Sequence, residues 1–327
     1  MKITEETGVV QIKKQGPPSV LEYSKQIVGE PGNGEVLIRH KAIALNFVDV
    51  LFRNGSFPVN QLPAIIGVEA AGVVEAVGEN VVHLKEGDRV VYFFSIGAYA
   101  ERRLINASDL IKIPDNIHFD EAASLMAKGL TARMLIKQAY AIKPGDVVIV
   151  HAAAGGVGSL VSRWAKALGA QVIGTVGSSS KKERVLQAGI DHVIALDKED
   201  LGVAVHAIIH GEGVQAVFDG VGKATFEESV KLIKIGGTAV LYGNASGAPS
   251  IDQKLLTANQ IKLVRPALGQ YLPDRESVDT ASAELFEAFS TGILGKIEPT
   301  IYHLSDVAKA HQDLESSQTT GSVIFHP

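Results

Sequence analysis

A chain of 327 residues is longer than one hydrophobic core usually supports, so two domains are expected. Hydrophobic residues make up 46% and charged residues 20%, which excludes a disordered chain; the net charge of -5, with no basic run longer than Lys181-Lys182, argues against a nucleic-acid partner. There are no cysteines, which removes disulfides, thiolate nucleophiles, Cys-ligated zinc and iron-sulfur clusters together.

Residues 1–8 are polar and carry Glu5 and Glu6, and no stretch approaches about 18 uninterrupted apolar residues, so no signal peptide, no membrane partner and a cytoplasmic location are expected. Residues 1–126 show short alternating strands and turn signals such as Pro31-Gly32-Asn33-Gly34 and Lys85-Glu86-Gly87-Asp88, a pattern for a bent antiparallel sheet or partial barrel. From Gly145 to Leu268 one rhythm repeats: a β-branched run, then an amphipathic stretch closed by glycine. The runs 147–150, 171–176, 192–196, 216–218, 238–242 and 262–264 start 21 to 24 residues apart (147, 171, 192, 216, 238, 262), which leaves room for one crossover helix each time. Strands alternating with helices predict a parallel sheet covered on both faces. Leu160, Val161, Trp164, Ala165 and Leu168 form one helical stripe, and Gly169, Gly189 and Gly236 are predicted just past helix ends. After residue 269 come a predicted helix, 275–290, and a last strand near 322–325, both expected to return to the first domain. The domains are thus read as 1–126 with 269–327, and 127–268.

Directly after the run 147–150 stands His151-Ala152-Ala153-Ala154-Gly155-Gly156-Val157-Gly158, opening onto the helix with Trp164. Gly155 and Gly158 match the second and third glycines of a dinucleotide-binding fingerprint, and Ala153 replaces the first. Such a turn lets backbone approach a pyrophosphate and aims unpaired N-H groups at it. The second strand continues into Gly177-Ser178-Ser179-Ser180-Lys181-Lys182, with no carboxylate before Glu183. Hydroxyls and ammonium groups suit a ribose 2'-phosphate where an acid would repel it, so NADPH is the expected cofactor. The alternative is that these lysines form the solvated first turn of a helix.

Six segments carry a resemblance: Ala44-Leu45-Asn46-Phe47-Val48-Asp49, Gly67-Val68-Glu69-Ala70-Ala71-Gly72, Gly87-Asp88-Arg89-Val90, Lys128-Gly129-Leu130-Thr131-Ala132, His151 to Gly158, and Gly243-Asn244-Ala245-Ser246-Gly247. Over essentially its whole length the chain resembles the medium-chain dehydrogenase/reductase superfamily and, within it, the zinc-independent NADPH:quinone oxidoreductases that include zeta-crystallin. The resemblance implies an α/β fold: a Rossmann domain, with a doubly wound parallel six-stranded sheet, plus a mainly β GroES-like catalytic domain built from both chain ends. A ligand cleft between the two is expected. Zinc alcohol dehydrogenases of that superfamily carry Gly-His-Glu where this chain has Gly67-Val68-Glu69, and valine cannot ligate a metal. What remains is hydride or electron transfer by proximity to an acceptor such as a quinone.

The resemblance carries Asn46 and Asp49 over as catalytic pocket residues at the nicotinamide end, Thr131 as a nicotinamide contact and Lys181 as a 2'-phosphate ligand. Ala154, Gly155, Gly156, Val157, Gly177, Ser178, Tyr242, Gly243, Asn244, Arg265, Pro266 and Ala267 complete the expected cofactor surface, with Leu196 where the family has a tyrosine on the adenine. Leu51, Phe57, Phe93, Tyr99 and Met126 are expected to line the substrate pocket; Leu51 and Phe57 stand where relatives show hydroxyls. Bland readings stay open: Asp49 as a helix cap, Asn46 as a partner for buried backbone, Phe93, Phe94 and Tyr99 as core packing. Glu69 is expected to pair with an arginine, and His151 to be a packed strand-end residue. A homodimer joined through the edge strand 262–264 is expected. Two other functions stay open: an alkenal or enone reductase using the same hydride, and a non-catalytic crystallin or RNA-binding role.

Overall fold

The computed structural model describes residues 6–209 and 213–327; residues 1–5, the start of the polar N-terminal stretch, lie outside it. Two compact units emerge, residues 1–127 with 297–327, and residues 128–296.

The first unit is a mostly antiparallel assembly. Its large sheet runs Thr300–His303, Val323–His326, Glu35–Leu45, Ala70–Val77, Arg89–Tyr92 and Ile111–Lys112, with Arg102–Asn106 also paired to Glu35–Leu45. Among the described residues, only Thr300–His303 and Val323–His326 pair in parallel within it. Register shifts between Leu37 and Ile38 and between His40 and Ala42 mark bulges, which bend a strand and increase its twist. A smaller sheet joins Leu21–Ile27, Glu6–Ile12 and Ala64–Ile65. Val10, Ile38, Ile66, Tyr99 and Phe325 belong to the core that both sheets enclose.

The second unit is a six-stranded sheet in the order His192–Ala195, Gln171–Val176, Val147–Val150, Val214–Asp219, Ile233–Leu241, Lys262–Val264. Every pair is parallel. This is the doubly wound arrangement that the 21- to 24-residue rhythm predicts. Gly169 and Gly189 take the left-handed backbone predicted for helix ends, at φ +91° and +84°. Gly236 is left-handed too, at φ +77°, but it lies inside the strand Ile233–Leu241, because the preceding helix Phe226–Lys231 has already ended on Leu232. That strand therefore begins at Ile233, ahead of the predicted 238.

The tail also departs from its expected place. The last strand, Val323–His326, pairs with Glu35–Leu45 in the first unit, but the helix Arg275–Ser290 belongs to the second. Its Leu285 side chain fills the space over Gly129, where a Cβ would come within 2.4 Å of it. Glu284 forms an ion pair with Arg133 at 2.5 Å and another with Lys137, and Arg163 Nη1 donates to the Leu294 carbonyl at 2.8 Å. Residues 269–296 thus go with 128–268.

Candidate functional site

Because all six strands of the second unit run the same way, their carboxyl ends share one edge. That edge collects His151, Gly177, Leu196, Gly220, Tyr242 and Arg265, each directly after its strand. All of the expected cofactor residues of this unit except Thr131 belong to these strand-end segments; Thr131 is half-buried on the helix Phe119–Met134.

The turn after Val147–Val150 is held by backbone. Ala152 takes a positive φ of 52°, and Ala153 N donates to the Thr175 carbonyl at 2.9 Å. A Cβ at Gly158 would come within 2.3 Å of the Ala152 oxygen, so only glycine lets the helix Gly156–Ala167 start this close to the strand. Ala153, which replaces the first fingerprint glycine, is accommodated by Gly174 on the neighbouring strand, where a Cβ would lie 2.8 Å from that of Ala153. Gly155 is the N-cap and no side chain caps this helix, which leaves its first-turn N-H groups aimed outward from the sheet edge.

Beneath the turn lies a buried polar network. His151 Nε2 is 2.6 Å from Ser229 Oγ, which itself donates to the Thr225 carbonyl at 2.7 Å. The serine proton is therefore spent, His151 donates from Nε2, and its Nδ1 accepts from Thr175 Oγ1 at 2.8 Å. Burial pushes the His151 pKa down, opposed by the charge of Asp219. The ring is a packed strand-end residue, as the sequence leads one to expect. Asp219 accepts from Val221 N, Gly222 N and Thr225 Oγ1 at 2.7, 2.9 and 2.8 Å, which fixes the loop after its strand. Ser246 Oγ ties that loop to Asn244–Gly247 by donating to the Val221 carbonyl at 2.8 Å and accepting from Ala224 N at 2.9 Å. Sequence reasoning missed Asp219; its signal was an acid at the end of an apolar run followed by Gly220-Val221-Gly222.

The serine turn is more committed than its sequence suggests. Lys182 is ion-paired with Glu199 at 2.8 Å, and Ser179 gives its N-H and its hydroxyl to Asp197 at 2.8 and 3.1 Å. Ser178 Oγ and Ser180 Oγ lie 2.9 Å apart. Burial pushes the Lys181 pKa down.

In the first unit, Asn46 and Asp49 begin the helix Phe47–Asn54. The Asp49 carboxylate accepts from Asn46 N at 2.8 Å, and Asn46 Nδ2 donates to Glu69 at 2.7 Å. Glu69, expected beside an arginine, takes a second bond from Ala127 N at 2.6 Å. Gly67 precedes it at φ +85°, and a Cβ there would lie 2.3 Å from the Tyr99 ring. Tyr99 and Met126, expected to line a substrate pocket, are both fully buried. Tyr99 packs in the core, because its hydroxyl finds partners there. Arg53 Nη1 is 3.2 Å from His311 Nδ1; a guanidinium only donates, so Nδ1 accepts and Nε2 carries the ring proton. His311 Nε2 then donates to Tyr99 Oη at 2.9 Å, and Tyr99 donates to Asp49 at 3.2 Å. Burial and the charge of Arg53 bring the His311 pKa down to about 3, and burial and Asp49 raise that of Tyr99. Arg53 closes the chain with two bonds to Glu315 at 2.7 and 2.8 Å. Of the other expected pocket residues, Leu51 and Phe93 are half-buried and Phe57 is exposed.

Two family models match: Alcohol dehydrogenase GroES-like domain over residues 32–115 and Zinc-binding dehydrogenase over 156–287. A quinone oxidoreductase from Salmonella typhimurium is 41% identical over 324 residues, covering 97% of this chain and 99% of that one. The chain belongs to the quinone oxidoreductase family, within the medium-chain dehydrogenases/reductases. It is an enzyme, an oxidoreductase. The crystal structure of the Escherichia coli quinone oxidoreductase complexed with NADPH superposes with a TM-score of 0.94 at 39% identity, covering 98% of this chain and all of that one. A 2-haloacrylate reductase from Burkholderia is also similar, at 37% identity over 97% of this chain and 98% of its own length. Val68 and Glu69 are both buried. Among the described residues no group of three or more His, Cys, Asp or Glu is gathered that could hold a metal ion.

Proposed function

We propose that this quinone oxidoreductase family member is a zinc-independent NADPH:quinone oxidoreductase. The observation that carries the reading is the glycine-walled, uncapped turn at Gly155–Gly158 on the edge where six parallel strands end. The residues fit the coenzyme: the missing Cβ at Gly155 and Gly158 lets the helix start pack against the Ala152 carbonyl, and open space lies over Gly177. The N-H groups of Gly156 and Val157 would hold the pyrophosphate, Ser178 and Lys181 the 2'-phosphate, and Tyr242 to Asn244 and Arg265 to Ala267 the rest of the edge, with Thr131 toward the nicotinamide. Bound NADPH supplies a hydride, which with one proton from solvent converts a quinone to its hydroquinone. Asn46 is held by Glu69 and Asp49, so it would orient an acceptor with little reorganisation; Asp49, expected in the catalytic pocket, is fully buried as a cap of its helix and would act by positioning Asn46.

The resemblance to a 2-haloacrylate reductase favours a second reading, hydride addition to a conjugated carbon-carbon bond. Loss of reduced-coenzyme absorbance is measured with benzoquinones and with enals and haloacrylates. Turnover of quinones in the presence of a chelator is expected; turnover confined to the conjugated acids or enals would replace the first reading with the second. The terminal strand Lys262–Val264 leaves a sheet edge, which we assign to a two-fold mate in a homodimer; a light-scattering mass of one chain would reject this.

A further inference from the structure

We propose that Asp197 sets the balance between NADPH and NADH in this enzyme, by holding donors of the serine turn that a 2'-phosphate would otherwise take. The inference rests on the coenzyme reading above and specifies its selectivity. Asp197 lies two residues beyond the third strand, His192–Ala195, and the turn Ser179–Lys181 lies just beyond the second, Gln171–Val176. The two strand ends are tied, since Leu196 N donates to the Val176 carbonyl at 2.9 Å. Asp197 is thereby brought against the turn, where its carboxylate takes Ser179 N at 2.8 Å and Ser179 Oγ at 3.1 Å. These are the backbone amide and the hydroxyl of one residue, a pair of donors suited to two oxygens of a phosphate.

A second acid acts the same way one step further along. Glu199 accepts from Ala195 N at 2.8 Å and binds Lys182 at 2.8 Å, drawing that ammonium toward the third strand's loop. The turn also carries Lys181 and the hydroxyls of Ser178 and Ser180. A 2'-phosphate arriving here carries up to two negative charges, displaces or faces the Asp197 carboxylate, and loses affinity by like-charge repulsion. An unphosphorylated ribose meets no such opposition, and its hydroxyl can donate to a carboxylate. Asp197 therefore narrows the preference for NADPH that Ser178 and Lys181 create, and admits NADH as a working coenzyme.

The test compares kcat/KM for NADPH and NADH, with one saturating acceptor, in the wild type, Asp197→Asn and Asp197→Ser. Asparagine keeps an oxygen for Ser179 and removes the charge; serine removes the charge and draws its oxygen back by one bond. The ratio of NADPH to NADH efficiency is expected to rise about tenfold in Asp197→Asn, carried by KM for NADPH. Titration with 2'-phospho-AMP against AMP should show the same preference shift without turnover. A ratio that stays within about twofold, or falls, in both variants while the wild type binds both coenzymes overturns the role of Asp197 alone. A wild type that binds neither coenzyme overturns the coenzyme reading and this inference with it.

Discussion

At the scale of single residues, the first unit is organised around charges that are out of water. Arg53 is nearly fully buried and satisfied by Glu315, His311 and the Gly16 carbonyl, while Glu69 is held by Asn46 and the Ala127 amide. Glu315 itself is exposed, so it is its removal that leaves the buried Arg53 with a desolvated, unpaired charge, which costs more than the intact pair contributes. Glu315→Leu is expected to cost about 3 kcal/mol, read from the urea midpoint, and Arg53→Met with Glu315→Leu to cost less than that. An additive or neutral result would remove the pair from the account of stability. Asn46 and Asp49 stood out in the sequence because the segment Ala44 to Asp49 resembles a family motif. Their partners did not, since Glu315 is 262 residues from Arg53 and nothing in either neighbourhood names the other.

At the scale of elements, strands were the legible part. A parallel strand buried on both faces needs a continuous apolar run, and 147–150, 171–176 and 262–264 have the same bounds in the structure as in the reading. The helix Arg275–Ser290 was legible as a helix but not as part of the second unit. Ala281, Leu285 and Phe286 show that one face is buried, without saying against what. Gly129 supplies the answer, because its missing side chain is the seat of Leu285. Gly129→Ala is expected to destabilise by about 1–3 kcal/mol in the wild type and by much less in a Leu285→Ala background. Equal costs in both backgrounds, measured by denaturant unfolding, would show that the two positions are not coupled.

At the scale of the whole molecule, acid stability follows from histidines kept neutral by burial. His40 and His311 have their pKa values brought from 6.5 down to about 3, in both cases chiefly by desolvation. In the unfolded chain both rings take a proton near pH 6.5, in the folded chain only near 3, so the unfolded state binds more protons in between. Stability is full above pH 6.5 and drains away as the pH falls toward 3, by up to about 1.4 kcal/mol per pH unit for each ring. Unfolding midpoints at pH 7.5, 6 and 4.5 should fall in that order, and His311→Gln should flatten the decline; a flat profile down to pH 4.5 would contradict it.

By itself the sequence determined the succession of strands and helices, the glycine turn at one sheet edge, the serine and lysine turn beside it and the absence of thiol chemistry. These are written within some ten consecutive residues each, where periodicity, β-branching and glycine act through local backbone geometry. Only the tertiary structure decided that Asp197 faces Ser179, that His311 and Tyr99 connect Arg53 to Asp49, and that residues 269–296 join the second unit. Such pairings are settled by which groups lose their water together when distant segments pack, and that is not a property of any one stretch of chain.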